Sequence, residues 1–365
     1  MGLGAPSINI AFIEQAATAI ERGERGIIAM FITDSGAADG TEYTVRSIED
    51  IPTALTEENR KQLEFALMGY QTAPKKILVY VMADDSGYTN ALKWAAAQKF
   101  DYLVAVTAET DGKSNDIVSW IKTQRNNNHL TYKAVLSNVS ADCEGIINLT
   151  SGAKTADSEY TAEQLCSRIA GIICGTPLNM SCTYAPLNEM SDCDRLSKSE
   201  LDAAVDNGEL KLMWDGEKVK LCRAVNSLTT TTAEKGDSFK KIKLVEAMDM
   251  IRNDISMTAQ DSYIGRYSNS YDNKCLLITA INSYFDSLIR DNVLSSGASR
   301  IGIEAQRAYI KSKGGKIVLD DDTMDVDDCS DDEVKRANTG SKVFLRADIA
   351  LLDAIEDIDL DIYIG

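Results

Sequence analysis

Four short stretches are apolar at consecutive positions: residues 26–33 (GIIAMFIT), 77–82 (ILVYVM), 102–106 (YLVAV) and 133–137 (KAVLS). Unbroken apolar character over so few residues fits strands buried on both faces. Between them the period lengthens to that of a helix. Residues 57–71 place Leu63, Leu67 and Tyr70 on one stripe behind Glu57 and Glu58, which complement the helix dipole. Residues 88–99 do the same with Leu92, Ala95 and Ala96, and residues 114–125 with Ile117, Val118 and Ile121. Strand-helix-strand alternation predicts a mainly parallel sheet covered by helices.

Local punctuation predicts more. Thr161 and Gln164 form a capping-box pair ahead of Leu165, Ile169 and Ile172, with Gly175 and Pro177 as the stop. Ser197 and Glu200 open a helix carrying Leu201 and Val205, ended by Gly208. Residues 210–214 and 217–222 flank Asp215-Gly216, a two-residue hairpin signal, with Leu210, Leu212 and Trp214 on one strand face. Beyond the Thr-rich link at 228–232 the pattern turns helical. Residues 238–254 face Phe239, Ile242, Val245 and Met248 inward, and 273–290 do so with Leu277, Ile281, Tyr284 and Leu288. A second, helix-rich domain with strands near its end is expected there.

Both ends alternate apolar and polar. Ser7, Ile8, Asn9, Ile10, Ala11 and Phe12 form one such stretch, and Ile358, Leu360, Ile362 and Ile364 mark the other. Alternation is the signature of a strand with one buried face. Strands so far from any local hairpin partner must pair with something distant. That is either the chain's own sheet or a neighbour's open edge.

Charge and composition narrow the chemistry. Fifty-six Asp+Glu against 38 Lys+Arg give a net −18, which argues against nucleic acid or an anionic membrane as partner. No apolar run reaches the roughly 20 residues of a bilayer span. The first residues lack the basic start and apolar core of a signal peptide. Eight cysteines without a CxxC pair fit reduced thiols better than disulfides or metal. The single histidine, His129, follows Asn126-Asn127-Asn128 in a polar loop, so a histidine triad or a His-rich zinc site is not expected. Thr339-Gly340-Ser341-Lys342 lacks the leading glycine of a phosphate loop and fits a helix-ending glycine. The acidic run from Asp320 to Glu333 fails the EF-hand pattern, because Asp325 and Asp331 stand where glycine and glutamate belong. Trp94, Trp120 and Trp214 fall in amphipathic elements and are expected in the core. No catalytic residue, cofactor or metal site is expected.

Residues 4–12 (GAPSINIAF), 19–23 (AIERG) and 25–29 (RGIIA) near the start, with 169–177 (IAGIICGTP) and 181–184 (SCTY) in the middle, resemble the corresponding segments of the tail sheath proteins of contractile phage tails and phage-tail-like bacteriocins, in a compact Gram-positive type. The hairpin running into 222–230 (CRAVNSLTT) continues the match. So do 252–255 (RNDI), 263–266 (YIGR), 271–274 (YDNK), 303–309 (IEAQRAY) and 333–340 (EVKRANTG), in the family's order.

That resemblance implies a structural protein. Its central domain would be subtilisin-like in fold only, and its α+β C-terminal domain would supply a sheet to which neighbours' terminal β-arms add strands. Hexameric rings would stack into a helical sheath around an inner tail tube protein, bounded by baseplate and tail terminator proteins. Assembly would take place in the bacterial host cytoplasm, and contraction would drive the tube through a target envelope. The expected parts are an N-terminal arm (1–22), a central domain (23–227), a C-terminal assembly domain (228–353) and a C-terminal arm (354–365). The chain is short for the family, so large surface insertions are not expected, and segment 353–357 lacks the prolines many sheaths carry there. The charge-dense helix 331–338, with Asp331, Glu333, Lys335 and Arg336, is a candidate tube-facing element, since exposed charge pairs suit a reversible grip. The competing reading is a cytosolic α/β enzyme using carboxylates, with ligands near Asp84, Asp85 and Thr107 beyond the strands' carboxyl ends. A baseplate or tube component fits the length and segment order less well.

Overall fold

The computed structural model describes residues 18–319 and 322–364, in two units: residues 23–253 with 351–364, and residues 18–22 with 254–350. In the first unit the alternation of runs becomes β1 (Ile27–Thr33), β2 (Glu42–Val45), α1 (Glu57–Met68), β3 (Lys76–Met82), α2 (Tyr88–Ala95), β4 (Tyr102–Ala105), α3 (Ser114–Asn126), β5 (Lys133–Ser137) and β6 (Ile146–Leu149). There follow β7 (Ala153–Lys154), β8 (Glu159–Tyr160), α4 (Ala162–Cys174), β9 (Asp192–Cys193), α5 (Lys198–Asp206), β10 (Glu209–Leu210), β11 (Leu212–Trp214) and β12 (Val219–Leu221). The main sheet has seven strands in the order β10-β6-β5-β4-β1-β3-β2. All are parallel except the edge strand β2, which runs antiparallel to β3. The fold is α/β, with smaller sheets beside this one.

Helices on both faces explain the unbroken runs. Along β1, Ile28, Met30 and Ile32 enter the core under α1 and α4, while Ile27, Ala29 and Phe31 enter the core under α2 and α3. α4 starts at the expected capping box, where Thr161 Oγ1 accepts from Gln164 N at 3.3 Å and Gln164 Oε1 accepts from Thr161 N at 3.0 Å. It is buried along almost its whole length, and Gly171 lets it approach α1 closely.

Several expectations shift. Residues 210–214 are not one strand: Leu210 joins the main sheet in β10, and the chain then crosses at Lys211 into the β11–β12 hairpin. The hairpin turn moves one residue on, to Gly216-Glu217. Asp215 Oδ1 accepts from the amides of Glu217 and Lys218, and Gly216 supplies the positive φ of 106°. α2 buries Tyr88, Ala91 and Ala95, leaving Leu92 half-buried and Ala96 exposed beyond its end. The helix expected from 238 splits. A single 3-10 turn holds half-buried Phe239, and Lys241 is then extended because its backbone bridges Val225. α6 (Ile242–Thr258) follows, crossing the division between the units at Asn253. Trp94, Trp120 and Trp214 are half-buried against the cores rather than inside them. All eight thiols are free, and His129 lies exposed in the loop after α3.

The second unit continues from α6 through a π-helical turn (Ala259–Tyr263) into α7 (Tyr271–Arg290), β13 (Leu294–Ile301), α8 (Ile303–Ser312), β14 (Lys316–Leu319), β15 (Asp322–Asp325), α9 (Asp331–Arg336) and β16 (Leu345–Leu351). α7 covers β13 with Ile281, Tyr284, Phe285 and Leu288 buried. A smaller core joins Ile310, Ile317, Val326, Cys329, Val334 and Ala337. The acidic run thus becomes a hairpin, a turn and a capped helix, with Asp320 and Asp321 outside the described residues. Gly340 does not end α9, which stops at Arg336, but sits in a later turn at φ 63°. Asn269 Nδ2 holds that turn by donating to Gly340 O at 2.7 Å and Lys342 O at 2.9 Å.

Candidate functional site

Titratable side chains concentrate at the amino end of the main sheet. Glu246, in α6, accepts from Arg25 Nη2 at 2.6 Å and Tyr102 Oη at 2.8 Å, and lies 3.1 Å from Lys133 Nζ. One turn on, Asp249 takes Arg125 in a two-pronged pair at 2.9 and 3.1 Å and Lys133 at 3.1 Å. Lys133 opens β5 and Tyr102 opens β4. Asp101, just before β4, accepts the Gly26 and Ile27 amides at 2.7 and 2.8 Å. Burial by itself would raise the Glu246 carboxyl, but Lys133 and Arg25 bring it down to about 2. Burial likewise opposes charge on Lys133, and Glu246 and Asp249 outweigh it, raising its pKa. Burial pushes the Asp101 carboxyl up. Lys133, Glu246 and Asp249 are buried at the centre of this network and Arg25 and Asp101 half-buried at its edge, and the network joins α6 to β4, β5, α3 and the residues leading into β1. Its work is structural.

The carboxyl end, where an α/β enzyme would bind its ligand, holds a cleft of about 380 Å³ lined by Glu109, Ser114, Ser137 and Asn138. Its carboxylate is already engaged, since Glu109 accepts from Ser137 Oγ at 2.5 Å and Asn138 Nδ2 at 3.0 Å. Thr107 donates to Asp111 at 2.7 Å, and Asp84 caps its own turn through Ser86 N at 2.9 Å. The Asp85 side chain lies outside the description.

In the second unit β13 and β16 form a two-stranded sheet with each other among the described residues. α7 covers one face, and most of β16 is exposed. Nearby, two consecutive residues of α8 pin the acidic segment. Gln306 Nε2 donates to the carbonyls of Val334 and Lys335, and Arg307 donates to those of Val326 and Cys329 and to Asp331 Oδ1. In the candidate helix, Val334 is buried and Glu333 caps Ser330 N at 2.7 Å. Lys335 pairs Asp332 at 2.8 Å, and Arg336 lies over the Tyr271 ring at 5.2 Å.

Residues 352–364 carry no secondary structure, and Ile358, Leu360, Ile362 and Ile364 are 74–96% exposed. Ser7, Ile8, Asn9, Ile10, Ala11 and Phe12 lie outside the described residues. Sequence reasoning missed the buried network. Its signal was Glu246 and Asp249, one turn apart on the same side of the helix as Ile242 and Val245.

Comparison with known proteins agrees with this architecture. The profile of the phage tail sheath protein central domain matches residues 83–227, and that of the phage tail sheath C-terminal domain matches 234–365. The tail sheath protein of Clostridium phage phiCD119 is 36% identical over 363 residues, 98% of this chain and 98% of the relative. In fold, the sheath tail protein of Desulfitobacterium hafniense superposes with a TM-score of 0.69 at 18% identity, covering 80% of this chain and 93% of that one. The anti-feeding prophage helical sheath in its contracted state gives 0.69 at 15% identity, over 99% of both chains. The chain belongs to the phage tail sheath protein family, a structural family rather than an enzymatic one. It is a sheath subunit, a component of a phage tail or phage-like contractile particle.

Proposed function

We propose that the chain polymerises by strand exchange into hexameric rings stacked as a helical sheath around an inner tail tube. Contraction of that sheath drives the tube through a target envelope. The observation that carries this reading is the row Ile358, Leu360, Ile362 and Ile364, held in solvent at alternate positions of one chain end. Residues 7–12 repeat the alternation at the other end. The β13–β16 sheet is the acceptor: a third strand gains main-chain hydrogen bonds and covers apolar side chains. Full burial of each isoleucine or leucine contributes about 1.5–3 kcal/mol before ordering costs.

In this reading residues 1–22 and 354–365 are the arms, 23–227 the central domain and 228–353 the assembly domain. Rings assemble in the bacterial host cytoplasm between baseplate and tail terminator proteins. The face around Asp331, Glu333, Lys335 and Arg336 grips the tube through weak, exchangeable charge contacts. Negative-stain microscopy of the intact chain beside a variant lacking residues 1–18 and 355–365 tests the mesh. Hollow striated tubes that disappear in the variant support it, and discrete small particles from both overturn it. Reversing Lys335 and Arg336 to Glu tests the grip, which is wrong if tube co-assembly survives unchanged.

A further inference from the structure

Along residues 353–357 the usual polarity of a segment lying on a protein surface is reversed. Ile355 is 86% exposed, whereas only 6% of the Glu356 side chain is. Glu356 Oε1 accepts from Thr183 Oγ1 at 2.6 Å and Ser181 Oγ at 3.2 Å, and its Oε2 accepts from Lys241 Nζ at 3.2 Å. Lys241 also pairs Asp353, and Arg223 Nη2 donates to Asp357 Oδ1 at 2.5 Å. The groups that receive the acids are themselves fixed to backbone. Thr183 Oγ1 accepts the Ala224 amide at 3.0 Å, the Ile242 amide donates to Ala224 O at 3.1 Å, and Lys241 bridges Val225. From Ile358 to Ile364 the side chains stand in solvent.

We propose that Glu356, held by Thr183, Ser181 and Lys241 with the Arg223–Asp357 pair alongside, is a root clamp that sets where the C-terminal arm leaves the subunit and how much of it a second copy of this chain receives. The clamp rests on the strand-exchange reading and assigns its positioning residues. Residues 358–364, extended at about 3.3 Å each, reach about 23 Å, and freeing 353–357 adds about 17 Å. A longer free lead lowers the effective concentration of the pairing residues at the acceptor and lets the neighbour settle at variable distances. Holding the root by acids is consistent with this division of labour. The body takes the carboxylates, and the isoleucines stay available for the neighbour.

Endoproteinase Asp-N, which cuts on the amino side of aspartate, reads the clamp in the monomeric full-length chain by intact mass. Cleavage before Asp359 and Asp361 is expected to run at least about tenfold faster than before Asp353 and Asp357, because cutting tracks the open population. Glu356→Ala lies in the tail itself and leaves the body's packing alone. It is expected to bring the Asp353 and Asp357 sites up by about tenfold, as is Lys241→Met, whose ammonium pairs the tail carboxylates Asp353 and Glu356. Equal rates at all four sites in the wild type, or unchanged ratios in both variants, would overturn the clamp. Glu356→Ala sheaths are expected to form with blurred helical layer lines, and wild-type sharpness there would count against a positioning role. Failure of the wild type to form tubes sinks the strand-exchange reading instead, and the cleavage ratios still decide the clamp.

Discussion

Lys133 Nζ lies 3.1 Å from Glu246 Oε1, with 3% and 5% of the two side chains exposed. One partner opens a central strand and the other sits in the helix that carries the chain onward, so the pair fixes α6 against the sheet's amino end. Removing the carboxylate alone takes the ion-pair partner from Arg25 and the acceptor from Tyr102, and leaves buried Lys133 with Asp249 as its remaining carboxylate. Glu246→Ala is expected to cost about 3–5 kcal/mol in urea unfolding. The double change Lys133→Met with Glu246→Leu should cost less than the sum of the single changes. A fully additive result would show that the two groups are not coupled.

The same pair makes stability depend on acid. The Glu246 carboxyl moves from 4.5 to about 2 on folding. Its contribution is therefore complete above the unfolded value and is lost as pH falls from 4.5 toward 2. Asp101, whose carboxyl is raised by burial, acts in the opposite sense. Urea midpoints measured from pH 6 down to pH 2.5 should fall less steeply for Glu246→Gln than for the wild type.

Gly171 stands where α4 crosses α1, and a Cβ there would sit 2.2 Å from Ala66 O. Backbone cannot yield as a side chain would. Gly171→Ala is expected to destabilise the subunit by about 1–3 kcal/mol, read as a lower urea midpoint at unchanged slope.

Arg307 satisfies the Cys329 carbonyl at 3.2 Å and pairs Asp331 at 3.1 Å, and it also bonds the Val326 carbonyl. Arg307→Ala leaves those acceptors without their donor. Hydrogen exchange is expected to quicken across residues 326–337, with a loss of about 1–3 kcal/mol. Exchange in residues 27–137 should stay as in the wild type.

Residues 358–364 stand in solvent, and the deletion of 358–365 removes them. The melting temperature of the subunit is expected to stay within the change of about 0.5 kcal/mol typical of surface substitutions, while tube formation is lost.

Much of the parallel sheet was legible in the sequence, because burial on both faces writes itself into consecutive residues. The runs that became β1, β3, β4 and β5 needed no knowledge of distant partners, and neither did the capping boxes at Thr161 and Ser197, whose bonds span three residues. β2, β6 and β10 escaped notice. Glu42–Val45 is a half-exposed edge, Ile146–Leu149 is short, and Glu209–Leu210 is a two-residue strand continuous with the next hairpin. The candidate helix at 331–338, which ends at Arg336 in the structure, was visible from its charge. That Val334 is buried and α8 pins its carbonyls was not.

The sequence by itself determined the class of fold, the capped helices and the alternation at residues 358–364, since each depends on neighbours a few positions away. Only the tertiary structure decided that Glu246 and Asp249 turn inward to meet Arg25, Lys133 and Arg125, because an acid on a helix looks the same in sequence whether it meets water or a buried base. It also decided that the last isoleucines point away from the body. An alternating stretch fits any open strand edge, and nothing within it shows that Glu356, two residues before it, is tied to Thr183 and Lys241 from far along the chain.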